Sequence, residues 1–572
     1  MHTTGDQEDY MRQDAIRKRR WWILTVLCVS LVMVGLDNTI LNVALPTLVR
    51  ALHASSSQLQ WIVDAYSVVF GSLLLTGGSI GDRIGRKTTF IAGLTIFGTG
   101  SAASALSGSA DQLIAARLFM GVGGALVMPS TLSILTNVFT IPHERARAIG
   151  IWSGTTGVGV AVGPILGGWL LSHFWWGSVF LVNVPIVALG IAASLLIVPN
   201  SSDPTASKPD PIGSLLSMAG LGSLLWAIIE APVHGWRALE TIVAFAVGIL
   251  LIIGFLAWEF NTSHPMLQMD FFKKARFSAA NASITTVFFA LFGSMFMITQ
   301  YLQFVMGYSP LRAGIMILPV SIVLGLAAPL SISAERKVGT KIIVAIGLLL
   351  VSYGLWDLSS LTVSSHYSTI LIPLVVLGTG MGFAMAPATE SIMGSLPPDK
   401  AGIGSATNGT MIQVGGSLGV AVLGSVEATR YVDHVNRLMR GHAVPAQAAQ
   451  AIRSSIGGAL AVAHIAGGVI GKALASSAKI GFTNGMSDAV LVGAMVTIVG
   501  TLIALLFLPS RAQEITSGAQ AMQRNVPSIK ESSISALPLP PMEDMEDIEN
   551  SRSLSDSSTR HTADQPAHRS QP

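Results

Sequence analysis

Fourteen stretches of about twenty apolar residues follow one another along this chain, near 22–45, 59–80, 88–107, 112–135, 147–170, 176–198, 213–232, 238–259, 280–302, 313–334, 342–360, 369–391, 402–425 and 487–508. A bilayer core takes about 20 residues of helix. Lipid offers backbone groups no partner, and these stretches are too long for barrel strands, so each has to close its own hydrogen bonds as a helix. Only 11% of the 572 residues are charged, against roughly 25% in an ordinary soluble protein, and the mean hydropathy is +0.60. Too few charges remain to cover a water-facing surface of this size, so most of the surface faces lipid. The expectation is an all-α polytopic membrane protein with 14 transmembrane helices.

Placement of the basic residues orients it. With the amino terminus inside, the N-terminal segment and alternate short loops put eighteen Lys and Arg residues on the cytoplasmic side, among them Arg19, Arg86, Arg145, Lys208, Lys273 and Lys341. The opposite short loops hold Arg50, Arg237 and Arg312. This bias predicts that both termini are cytoplasmic. The sequence pI of about 9.0 is therefore a topology signal and no sign of nucleic acid, since the net charge is only +3. The first run ends in no small-residue cleavage site, so it reads as a retained span. A single cysteine, Cys28, excludes a disulfide within the chain.

The runs divide the chain into a cytoplasmic segment 1–21, six helices over 22–198, a linker 199–212, an inserted pair 213–259, a linker 260–279, six more helices over 280–510, and a polar tail 511–572 that is expected to be disordered. "RSSIGGALAVAHIAGGVIGKALA" (Arg453 to Ala475) is nearly apolar enough for another span. Its glycines and central His464 favour an interfacial or re-entrant helix within a large outer loop, 426–486.

Two echoes link the six-helix sets. "DRIGRKT" (Asp82 to Thr88) follows the second run as "ERKVGTK" (Glu335 to Lys341) follows the tenth, and "GVAVGPILGG" in the fifth run is answered by "GGSLGVAVLG" in the thirteenth. Repeated halves are how many secondary transporters are built, with the substrate between them. Asp82 beside Arg83, Arg86 and Lys87, with Gly81 and Gly85 allowing close approach, can form a charge clamp between neighbouring helices. The three bases alone would also satisfy the orientation rule.

Over residues 20–510 these patterns resemble the major facilitator superfamily, and the span count resembles its 14-helix drug:proton antiporter family. "GGSIGDRIGRK" is similar to the inner-loop motif at Gly78, Asp82, Arg83, Gly85, Arg86 and Lys87. "LDNTILNVALP" resembles the first-helix motif through Asp37, Thr39, Asn42 and Pro46, and "ARLFMGVGGAL" the fourth-helix motif through Arg117, Gly121 and Gly124. "GVAVGPILGG" resembles the fifth-helix antiporter motif through Gly159, Gly163, Pro164, Gly167 and Gly168. The resemblance implies a major facilitator fold, a bacterial cytoplasmic membrane location and export of hydrophobic, often cationic compounds driven by inward proton flow. It further implies that the fifth-helix run seals the pathway against proton leak. The second half departs from the loop motif, with Thr340 where the first has Arg86.

Charges inside spans cost about 2.5–3.5 kcal/mol each on insertion scales, so each asks for a reason. Asp37 follows a wholly apolar approach. Burial and a nearby guanidinium act in opposite directions on a carboxyl group, which can leave it able to exchange a proton near neutral pH. Arg117 lies at a compatible depth. The candidate proton-coupling residues are Asp37, Arg117, Asp64, Glu230 and Glu390. For each a structural role stays open: a permanent pair for Asp37, a snorkelling base for Arg117, an interfacial cap for Asp64, an anchor for Glu230, a water-facing helix end for Glu390. Gly159, Gly163 and Gly167 recur every four residues and expose one smooth face, and Pro164 removes a helix hydrogen bond.

Amphipathic and soft side chains at the spans supply candidate substrate contacts: Tyr66, Met128, Trp152, Asn281, Phe288, Met295, Tyr301, Gln303, Asn408 and Gln413. Aromatic faces attract cations by about 0.5–2 kcal/mol. The expected partners are lipophilic cations, protons and the bilayer. A monomer would suffice, although the sequence leaves the oligomeric state open. No phosphate-binding loop of the Gly-x-x-x-x-Gly-Lys-Ser/Thr type is present, so direct use of ATP is not expected, nor is any cofactor. The rival readings are an exporter of a lipid, siderophore or neutral metabolite, and a non-transporting membrane sensor.

Overall fold

The computed structural model describes residues 3–203, 208–397 and 400–510; the expectation for 511–572 lies outside them. The described residues form helices joined by short connections: α1 (Thr3–Leu52), α2 (Ser56–Ile84), α3 (Arg86–Ala105), α4 (Ala110–Val138), α5 (Pro142–His173), α6 (Ser178–Leu181), α7 (Asn183–Ile197), α8 (Pro211–His234), α9 (Leu239–Asn261), α10 (Met269–Phe272), α11 (Ala275–Gln300) with a π turn at Tyr301–Val305, α12 (Pro310–Val338), α13 (Thr340–Leu358), α14 (Tyr367–Met393), α15 (Ala401–Met439), α16 (Ala446–Ser454), α17 (Ile456–Ala466) and α18 (Gly468–Phe507). Among the described residues thirteen helical segments are long and apolar enough to cross a membrane, α6 and α7 together forming one over Ser178–Ile197. The fourteenth is α3, whose 20 residues reach about 30 Å at 1.5 Å per residue. It gives up apolarity for close approach: a Cβ on Gly93 would lie 2.9 Å from Leu126 Cβ, and one on Gly100 2.7 Å from Met120 Cγ, both on α4.

The repeat is visible in the packing. α1 lies on α5 as α11 lies on α15, α4 joins α2 and α3 as α14 joins α12 and α13, and α7 covers α1 and α3 as α18 covers α11 and α13. Turn chemistry repeats too. Ser55 and Ser309 cap α2 and α12 by accepting from the backbone N–H of Gln58 and Arg312. Gly85 (φ +129°) and Gly339 (φ +90°) turn the chain into α3 and α13, a backbone region that favours glycine. The halves meet along α2 with α15 and α5 with α12, and α8 of the inserted pair lies against α2 and α15.

The segment 426–486 departs from the large outer loop expected of it. α15 continues to Met439 and α18 begins at Gly468, leaving Arg440–Pro445, Ser455 and Gly467 between helices. The apolar run of α15 stops just before Glu427, but the polar residues beyond it are held between helices. The Tyr431 hydroxyl donates to the carbonyls of Ile452 (2.9 Å) and Ser455 (3.2 Å), and Gly481 and Gly485 seat α18 against His434 and Glu427. α17, within the stretch that tempted another span, has 11 residues. At 1.5 Å per residue that is about 16 Å, too short to cross. It rests by Gly457 on Val49 and Phe304.

Candidate functional site: a buried ion pair and a cavity between two halves

Arg117 of α4 is almost completely buried, at 1% exposure, and so is Asp37 of α1, at 0%. Arg117 Nη1 donates to Asp37 Oδ2, Nε donates to the Ile62 carbonyl at 3.0 Å, and the guanidinium lies 4.5 Å from the centroid of the Tyr66 ring. The charge is thus held by a carboxylate, a carbonyl and an aromatic face, the arrangement a dry cation requires. Asp37 Oδ1 and the Tyr66 hydroxyl have no hydrogen-bond partner among the described residues. Tyr66, read from the sequence as a substrate contact, is spent on Arg117 and lines neither cavity described below. Asp64 is also fully buried, and neither of its carboxylate oxygens has a partner there, so it stands apart from the Asp37 pair. Glu230 approaches His234 at 4.0 Å on α8, and Glu390 of α14 lies near Arg276 of α11. The five acid and base candidates therefore resolve into one pair and three separate acids.

The end of the bundle that carries the α2–α3 turn and residues 199–203, 208–210 and 262–274 holds the basic short loops, and is the basic end. A cavity of about 280 Å³ lies there between the halves, bounded by Asp82 and Gly78 of α2, Met128 of α4, Trp152 of α5 and the start of α15. Trp152 is fixed by donating Nε1–H to the Thr131 hydroxyl at 3.0 Å. A second space of about 40 Å³ lies further along the same interface, with Thr39, Asn42, Pro164, Phe292 and Met295 in its wall. Phe288 joins that wall indirectly, its ring 5.7 Å from Phe292. Asn281, Asn408 and Gln413 each keep a side-chain oxygen without a partner among the described residues.

At the other end the halves are closed on one another. Gln303 Nε2 donates to the Val43 carbonyl at 2.9 Å, and Ser425 Oγ, which donates to the Ile228 carbonyl at 2.7 Å, lies 3.4 Å from Gln60 Oε1. Tyr301 is bound outside this interface, donating to the Thr362 carbonyl at 2.6 Å. The face that Gly159, Gly163 and Gly167 form is covered by α1, and the other residues of the fifth-helix motif serve a second neighbour. Gly159, Gly163 and Gly167 lie on Val32, Thr39 and Ile40 of α1, whereas Gly168 lies on Pro310 and Leu311, and the Pro164 carbonyl lies on Gly314, both on α12.

The loop motif clamps helices of one half. Arg86 Nε meets Asp82 Oδ1 at 2.7 Å, Lys87 donates to the Leu195 carbonyl at 3.0 Å, and the Arg86 amide donates to the Ser201 carbonyl at 2.9 Å. Arg83 is exposed. In the second half Glu335 accepts from the Thr340 hydroxyl at 2.5 Å, so a hydroxyl takes the place of the missing base. Glu427, buried at 5% exposure, escaped the sequence reading because its helix runs on past the end of the apolar stretch. The connector 262–268 escaped it because it has no periodicity.

Two similar six-helix halves, sealed at one end and parted by a cavity at the other, define a membrane carrier. The sequence profile of the Major Facilitator Superfamily matches residues 27–420, and the chain belongs to that superfamily. It is 34% identical to the multidrug efflux pump LfrA of Mycolicibacterium smegmatis, over 85% of this chain and 95% of that protein. It is 35% identical to the tetracenomycin C resistance and export protein of Streptomyces glaucescens, over 73% and 78%, and 31% identical to the methyl viologen resistance protein SmvA of Salmonella typhimurium, over 81% and 93%. Among solved structures, a bacterial homologue of the lysosomal transporter Spinster in its inward-facing, occupied conformation matches with a TM-score of 0.60 at 17% identity, covering 85% of this chain and 96% of that one. At that identity the likeness speaks for the fold.

Proposed function

We propose that this protein is a proton-coupled multidrug efflux carrier of the bacterial cytoplasmic membrane, with both termini in the cytoplasm, that exports lipophilic and cationic compounds. It is a drug-efflux transporter and not an enzyme, in keeping with relatives named for multidrug efflux and drug resistance. The observation that carries proton coupling is the buried Asp37–Arg117 pair with one carboxylate oxygen left open. The basic end faces the cytoplasm by the inside rule, so a compound reaches the cavity by Met128 and Trp152 from within. A proton arriving at Asp37 cancels its charge and releases Arg117 to Ile62 and Tyr66. α1 is then free to shift and takes α5 with it through the Gly159, Gly163 and Gly167 contacts, which moves the α5–α12 closure. Substrate and proton are thereby exchanged by rocking of the halves.

A second reading, a neutral or acidic cargo, is favoured by Lys208, which reaches the same cavity while Asp82 is engaged by Arg86. The deciding experiment is ethidium efflux from proteoliposomes under an imposed proton gradient, comparing the native chain with Asp37→Asn. Gradient-driven transport that the variant loses, with binding retained, supports the proposal. Equal pumping by both moves the coupling acid elsewhere, and no flux of cations by the native chain turns the assignment to neutral or acidic cargo.

A further inference from the structure

The inserted pair α8–α9 stands outside both six-helix halves, yet the residues that flank it reach the cavity between them. Lys208, just before α8, and Pro265, Met266 and Gln268, just after α9, form part of its wall opposite no helix of their own. These residues are not a slack linker. The Glu259 carboxylate accepts from the Leu267 amide at 3.0 Å. Ser214 Oγ of α8 donates to the Asp210 carbonyl at 2.8 Å and lies 2.5 Å from the Thr76 hydroxyl of α2, and Met266 Sδ rests against this pair, 3.7 Å from Ser214 Oγ and 3.8 Å from Thr76 Oγ1. Leu267 is buried in a small apolar cluster with Leu75 of α2 and Phe255 of α9. Asp210 completes the support, accepting from the Gly213 amide at 2.9 Å and from Trp258 Nε1 at 2.9 Å. The hairpin is therefore a bracket that holds a short stretch of chain against the mouth of the cavity.

We infer that the connector 262–268 is a selectivity wall of the drug path, with Met266 and Gln268 contacting the transported molecule as it enters. This rests on the drug-efflux reading above. The class of ligand follows from the side chains that share the space. The thioethers of Met266 and Met128 and the indole of Trp152 offer soft, polarizable surface that suits a flat aromatic compound, and Gln268 adds an amide able to donate or accept. Because thioethers adapt their shape, the wall accommodates rings of different outline, and compounds lacking an aromatic face gain little from it.

The chain has a single cysteine, so a Cys28→Ser background carrying Met266→Cys reports on this wall alone. Proteoliposomes are labelled with a thiol-reactive maleimide, with and without ethidium, and transport is followed in the same preparation. At ten times its Kd, ethidium leaves about one carrier in ten unoccupied, so labelling is expected to slow about tenfold. Gln268→Cys provides the same readout if Met266→Cys does not fold. Met266→Ala is expected to raise KM for ethidium several-fold without changing the maximal rate. Unprotected labelling at both positions beside active ethidium transport overturns the wall and leaves the efflux reading standing. Absence of drug transport by the native chain overturns that reading, and the wall with it.

Discussion

Arg117 has given up water for three partners, and the consequence of removing one of them is calculable in kind. Arg117→Ala leaves Asp37 buried opposite nothing, and breaking a buried pair from one side typically costs about 3–5 kcal/mol. The expected outcome is a clear drop in the thermal midpoint in detergent, partly restored when Asp37→Asn is added, because the second change removes the stranded charge. Asp64→Asn is expected to leave the midpoint nearly unchanged, since no partner of its oxygens is lost. The sequence picked out Asp37 and Arg117 because a charge in an apolar run is conspicuous. It could not show that Tyr66 lies beneath the guanidinium or that Asp64 stands apart, because those facts depend on how α2 is rotated against α4.

At the scale of the helix, glycines of one type divide by what they face. A Cβ on Gly159 would meet the Val32 carbonyl at 2.7 Å, whereas one on Gly154, five residues earlier in α5, would meet nothing within 4 Å. Gly159→Leu is therefore expected to force α1 from α5, abolishing transport and lowering the thermal midpoint, while Gly154→Leu is tolerated. Measuring both in one preparation checks the argument, and equal sensitivity would count against it. Gly85→Ala, at φ +129°, is expected to cost about 1–3 kcal/mol through backbone strain. The four-residue spacing announced a smooth face on α5. That Gly168 and Pro164 serve a different neighbour was not legible, since periodicity describes a helix surface and not the helix that covers it.

For the whole molecule, the closed end and the cavity at the basic end describe one of the two arrangements an alternating carrier needs. Gln60 and Ser425 touch across the closed interface. In the Cys28→Ser background, joining Gln60→Cys to Ser425→Cys with a short bifunctional thiol reagent is expected to stop efflux while ethidium binding from the basic side is retained. Continued transport by the joined protein would show that the halves do not part there.

What the sequence determined by itself is the helical class, the number of spans and the doubling of the fold. Lipid forces every long apolar run to satisfy its own backbone, and a repeated turn keeps its glycine because of the backbone conformation it must adopt. The motif residues were readable for the same reason, being polar or small where the surroundings are apolar. Tertiary structure alone decided that polar residues 426–439 extend α15 and that an aperiodic connector, 262–268, reaches the cavity. It also decided which face of α5 meets which half. Such features depend on partners brought together from distant parts of the chain, and local composition carries no record of them.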